Sequence, residues 1–136
     1  MTSNGTTAMT LSYLASPYSG THDQRRERFL EARRFVVASF KDGVHVLSPI
    51  MIWHEASLRF DLPTDAAAYA NFNHALFRAC ASLLVLKLPG WEKSAGIAME
   101  IGWACVACKH IREVTIEGNQ YAIRGFVPQP APESEA

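Results

Sequence analysis

The order of apolar and amphipathic segments predicts an α/β protein, a small doubly wound parallel sheet with helices on both faces. Short aliphatic runs alternate with stretches of helical length, the order that builds strand-helix-strand units. The apolar runs end in turn-forming loops, Ser16-Pro17-Tyr18-Ser19-Gly20, Ser48-Pro49 and Pro89-Gly90, where an open α/β sheet assembles its ligand site. With 136 residues, 49% of them hydrophobic, the chain makes one domain with a real core and hardly two.

Residues 1–9 are small and polar and are expected to be disordered. Thr10 to Ala15 reads as the first strand. His22 to about Lys41 follows as an amphipathic helix with Phe29, Ala32, Val36, Val37 and Phe40 on its apolar side. Its charged half reads as a solvated face, with Arg25, Arg26 or Arg28 in reach of an anion at the preceding loop. Asp42-Gly43 ends that helix, and Val44 to Leu47 is the second strand. Ile50 to Leu62 is read as irregular, a mixture of aromatic and polar residues including Trp53, His54 and Asp61. Such a segment suits a planar ring or a self-packed lid. Pro63-Thr64-Asp65 signals a helix start, and that helix is expected to run to about Ala81 with Tyr69, Phe72, Leu76, Phe77 and Cys80 inward.

Leu83 to Leu88 is a buried strand, His110 to Ile116 a fourth, and Tyr121 to Val127 a short closing one. The tail, 128–136, is proline-rich and acidic and expected to be disordered, so the domain spans 10–127. Thirteen basic residues balance thirteen acidic ones, which gives no footing for a nucleic-acid polymer or a membrane surface. No segment has the length to span a bilayer, and a cytoplasmic location is expected. Three cysteines, Cys80, Cys105 and Cys108, sit in apolar, helical surroundings and read as reduced core residues. Cys105 and Cys108 have C-x-x-C spacing but no second ligand pair, so no metal is assigned.

Gly90 to Cys108 carries the chemistry. Ser94 is a good N-cap, and Ala95 to Cys108 can all be helical. Glu100 is the one charged residue in that helix, set among Ala98, Met99, Ile101, Gly102 and Trp103. A carboxylate there requires an explanation. Ser94 and the free first-turn amides suit a phosphate or other anion, and Gly96 lets a ligand come close. Gly96 and Glu100 are four residues apart, on one face, with the carboxylate a turn deeper. The residues alone leave two readings level: a ligand site, or a structural carboxylate paired with an arginine beside a plain cap.

Three stretches in order resemble the nucleoside 2-deoxyribosyltransferase superfamily. They are Tyr13-Leu14-Ala15-Ser16-Pro17-Tyr18-Ser19-Gly20, Val46-Leu47-Ser48-Pro49 with His54, and Gly90-Trp91-Glu92-Lys93-Ser94-Ala95-Gly96 through Glu100. Within it the chain is similar to the domain of unknown function 1937 group. The resemblance covers roughly residues 10 to 110 and implies a Rossmann-like, flavodoxin-like sheet.

It further implies glycosidic chemistry on nucleosides or their 5′-monophosphates, with no cofactor. Glu100 would attack the anomeric carbon and form a glycosyl enzyme, with Tyr13 orienting it. Ser94 and Gly96 would hold a 5′-phosphate, and Ser16, Pro17, Tyr18, Ser48, His54, Asn73 and Trp91 would contact substrate. The sequence departs at Asn73, near where relatives carry an aspartate. Asparagine cannot protonate a leaving base, so the acid falls to His74, His54, Asp61, Asp65 or water. The expected function is a nucleoside 5′-monophosphate N-glycosidase. A deoxyribosyltransferase and a silent nucleotide-binding module are the alternatives. Relatives lead one to expect a homodimer or higher homo-oligomer, with Trp103, Tyr121 or Phe126 as interface candidates.

Overall fold

The computed structural model describes residues 10–126; the expectations for both termini, and for Val127, lie outside them. The elements run β1 (Ser12–Ala15), α1 (His22–Lys41), β2 (Val46–Leu47), α2 (Pro49–Phe60), α3 (Ala66–Arg78), β3 (Ser82–Leu86), α4 (Ala95–Val106), β4 (His110–Glu117) and β5 (Gln120–Gly125). The sheet order is β2-β1-β3-β4-β5. The first four strands are mutually parallel, and β5 returns antiparallel to β4 as a hairpin. This is the doubly wound α/β class the sequence predicts. Its order reverses between β1 and β3, so the crevice lies beyond their carboxyl ends.

Alternation along the strands divides the core into two layers. Tyr13, Ala15, Leu83, Val85 and Ile111 face α3 and α4, meeting Phe77, Ile97 and Ala104. Leu14, Leu84, Leu86 and Val114 face α1, meeting Ala32 and Phe35. Every residue of β1 is buried, as a strand covered on both faces requires.

Three expectations are corrected. The segment after β2 is not irregular but helical. Ser48 accepts a hydrogen bond from the Met51 amide at 3.3 Å, Pro49 occupies the first turn, and Asp61 closes the helix in the left-handed region at φ 53°. On α1 the buried residues are Phe29, Ala32, Phe35 and Ser39, whereas Val37 and Phe40 are exposed, because the helix meets the sheet on the stripe through Phe35. Among the cysteines only Cys80 is in the core; Cys105 and Cys108 are exposed where α4 ends.

The inward set on α3 is also narrower than its sequence suggests: Phe77 is buried and Phe72 is half exposed. Helix α3 stops at Arg78 rather than Ala81. There the Lys109 ammonium donates to the carbonyls of Phe77 (2.9 Å), Arg78 (3.3 Å) and Cys80 (2.6 Å), and lies 4.3 Å from the Phe77 ring centre. One cation from the α4–β4 turn thus closes the end of a distant helix. Lys109→Met, which keeps the apolar stem, is expected to lower unfolding free energy by about 1–3 kcal/mol. Urea denaturation followed by circular dichroism reads the shift directly.

Candidate functional site

Tyr13 on β1 and Glu100 on α4 meet in the layer between the sheet and α4. The Tyr13 hydroxyl donates to Glu100 Oε2, and no other hydrogen bond reaches this carboxylate among the described residues. Glu100 is 7% exposed and Tyr13 wholly buried. No arginine or lysine pairs with Glu100, which removes the structural ion-pair reading. Burial therefore pushes the Glu100 carboxyl up to about 8, with Tyr13 pulling the other way. Burial, and then the neighbouring Glu100, raise Tyr13, which keeps its proton and stays a donor.

Glu100 forms the floor of a cavity at the switch point. Ser16 and Tyr18 reach it from the loop after β1, Ser94 and Gly96 from the start of α4, and Asn73 from α3. Three buried polar atoms of this lining have no protein partner: Ser16 Oγ, Trp53 Nε1 and Asn73 Oδ1. Buried polar atoms are almost always satisfied. Three left open around one cavity mark a place for a ligand that offers both donors and acceptors. Trp53 and Tyr69 supply aromatic lining, their ring centres 5.2 Å apart and their planes tilted by 47°.

His54, 5% exposed, is fixed on the cavity's far side. Its Nδ1 is 2.7 Å from the Tyr18 hydroxyl, and its ring stacks on Phe29 at 4.3 Å. Burial lowers its pKa, so the imidazole is neutral at pH 7. Of the proton donors weighed above, His54 and Asp65 line the cavity. His74 instead packs on Trp103, 4.7 Å between ring centres, and Asp61 serves as the cap of α2.

Three sequence candidates stand elsewhere. Ser48 is consumed as the cap of α2. Pro17 is fully buried beneath the loop. Trp91, in a single 3-10 turn ahead of α4, packs on Phe126 and under the Lys87 ammonium, 4.8 Å from its ring centre. None of the three lines the cavity, because the backbone turns each side chain into the core. Ser94 does line it, while its hydroxyl accepts from the Ile97 amide at 3.2 Å. The cap leaves the amides of Ala95 and Gly96 as the open donors of that helix end. A Cβ on Gly96 would sit 3.5 Å from Ala66, an ordinary contact, so glycine is not required there by the protein itself.

Two arginines of α1 are committed to backbone. Arg25 donates to Gly20 O (2.6 Å), and Arg28 donates both to Ser19 O and to Pro89 O (3.1 Å). Arg28 thereby straps the loop after β1 to the loop after β3, against Gly90, whose φ of +91° and 2.9 Å clearance leave no room for a side chain. The rim is completed by Ser19 Oγ donating to Thr64 O at 3.3 Å. The space enclosed is about 90 Å³, below the roughly 300–1,000 Å³ of ligand clefts. A wider groove of about 890 Å³ lies between α1 and the β4–β5 hairpin; of the candidates only Arg28 and Tyr121 line it, and none of the catalytic, phosphate or substrate candidates does.

A family model described as a domain of unknown function (DUF1937) matches residues 10–115. No curated protein matches the chain.

Glu100 fixes a pH signature. Its folded-state pKa, about 8, lies above the ordinary 4.5, so the fold binds the proton more tightly than the unfolded chain. Stability is full below about pH 4.5 and falls as pH rises towards 8. In Glu100→Gln this fall should vanish, as measured by denaturant midpoints at intervals from pH 4.5 to 9.

Proposed function

The chain belongs to the domain of unknown function family DUF1937, and from the site it carries we propose that it is a nucleoside 5′-monophosphate N-glycosidase. The observation that carries this reading is Glu100 itself, a buried carboxyl held by one tyrosine at the floor of a cavity with open hydrogen-bonding atoms. Resemblance to the nucleoside 2-deoxyribosyltransferase superfamily supports it. The sugar lies over Glu100, and its 5′-phosphate meets the Ala95 and Gly96 amides one turn above. The base rests against Trp53 and Tyr69, with Asn73 and Ser16 at its edge.

In its ionised form Glu100 attacks the anomeric carbon on the face opposite the base. Tyr13 keeps the carboxylate in one orientation and its O–H takes up charge when the glycosyl bond to Glu100 later breaks. Water then completes hydrolysis. A nucleoside would leave the helix mouth unfilled, which favours the nucleotide over the deoxyribosyltransferase substrate.

Incubation with a panel of ribo- and deoxyribonucleoside 5′-monophosphates, with free base followed by chromatography, tests the proposal. Glu100→Ala should lose on the order of 10³-fold or more in kcat. Gly96→Ala, which fits without strain, should raise KM more than it lowers kcat. Because attack needs the ionised carboxylate, kcat/KM should climb as pH approaches about 8. Release of base unchanged in Glu100→Ala would sink the assignment; transfer to an added acceptor base would make the protein a transferase.

A further inference from the structure

The cavity's charge and its proton donors restrict the kind of base that can leave. Neither lysine nor arginine lines it, and the two formally charged side chains that do are both acidic, Glu100 and Asp65. Asp65 is the exposed N-cap residue of α3, yet among the described residues its carboxylate makes no capping hydrogen bond and no ion pair. The same lining carries the aromatic rings of Trp53 and Tyr69. Carboxylates with aromatic faces and no basic group form a surface for a flat cation.

Departure of the base leads to the same class. A neutral base leaves well only if a proton reaches it. Asn73, at its edge, has none to give, His54 is a neutral ring tied to Tyr18 and Phe29, and Asp65, the remaining acid candidate in the lining, is a solvent-exposed side chain. A base that is already cationic needs no acid.

Resting on the glycosidase reading, we infer that the substrate is a nucleotide whose base carries a formal positive charge in its glycosylated ring system, a pyridinium or an N-alkylated purine. A Glu100 oxygen bonds to the anomeric carbon while the carbon–nitrogen bond breaks. Its electron pair returns to the ring and cancels the positive charge, so the base leaves neutral. Water then attacks the same carbon, the ester electron pair returns to Glu100, and one proton passes to solvent. Nucleotide and water become base, sugar phosphate and H⁺.

The same cation brings Glu100 into its reactive state. Without a basic partner this buried carboxyl holds its proton; a positive ring over it favours the carboxylate, so the proper substrate ionises its own nucleophile. The phosphate meets helix amides at the other end of the site, and the zwitterion is matched at both poles.

Two substrate pairs of nearly equal shape test this: nicotinamide mononucleotide against its uncharged dihydro form, and 7-methylguanosine 5′-monophosphate against guanosine 5′-monophosphate. Base release is measured with wild type, Glu100→Gln and Asp65→Asn, each rate divided by the uncatalysed rate of that substrate. Binding to Glu100→Gln is measured by calorimetry. The cationic member of at least one pair should bind about tenfold or more tightly, and should show the larger catalysed acceleration. Asp65→Asn should remove most of that preference, and Asp65→Glu restore it. Binding to wild type at pH 7 should release a proton, seen as heats that vary with buffer ionisation. Equal or better acceleration of the neutral members overturns the inference and leaves the glycosidase standing. No release from any nucleotide overturns both.

Discussion

The hydrogen bond from Tyr13 to Glu100 is the constraint on which the arrangement depends. Each group alone would be an unacceptable burial: a phenol in the middle of β1, covered by both core layers, and a carboxyl on the apolar face of α4. Together they satisfy one another and fix the depth at which α4 lies on the sheet. That placement sets its first turn, with the open amides of Ala95 and Gly96, facing Ala66 at the start of α3. Cavity, helix mouth and floor follow from one contact.

Most of the fold was legible because its strong signals are local. The limits of α1 follow from a capping box at Thr21 and Gln24, and α4 starts where Ser94 caps it. The carboxylate stood out because no other charge occupies its helix. What stayed hidden depends on context. Ser48-Pro49 is a helix start, but it also reads as the end of a strand loop, and only packing against α1 decides between them. His54 then falls on the buried side of α2, stacked on Phe29, a contact no spacing announces. Trp91 has the company of a site motif and belongs to the core, because the 3-10 turn points it at Phe126. Tyr69 reads as an ordinary helical core position and proves to share a cavity wall with Trp53.

Electrostatics inside this domain is unevenly distributed. The chain as a whole is balanced, yet Arg25 and Arg28 are turned to backbone carbonyls while Glu100 and Asp65 line the cavity. Arg28 is the instructive case. From the sequence it reads as part of a solvated face within reach of an anion; in the fold it is a clasp between two loops, donating to the carbonyls of Ser19 and Pro89. At the start of α4 the donors left open, the amides of Ala95 and Gly96, are neutral, and the ionisable group of the floor is Glu100.

The pairing of Tyr13 with Glu100 spans 87 positions of sequence. Strand β1 is central in the sheet yet first in the chain, and its hydroxyl has no partner until α4 has been made and docked. During synthesis the amino-terminal half therefore waits, since β1 acquires only the two-residue β2 before β3 appears. The floor of the site is thus a long-range contact, complete only once α4 has docked on β1.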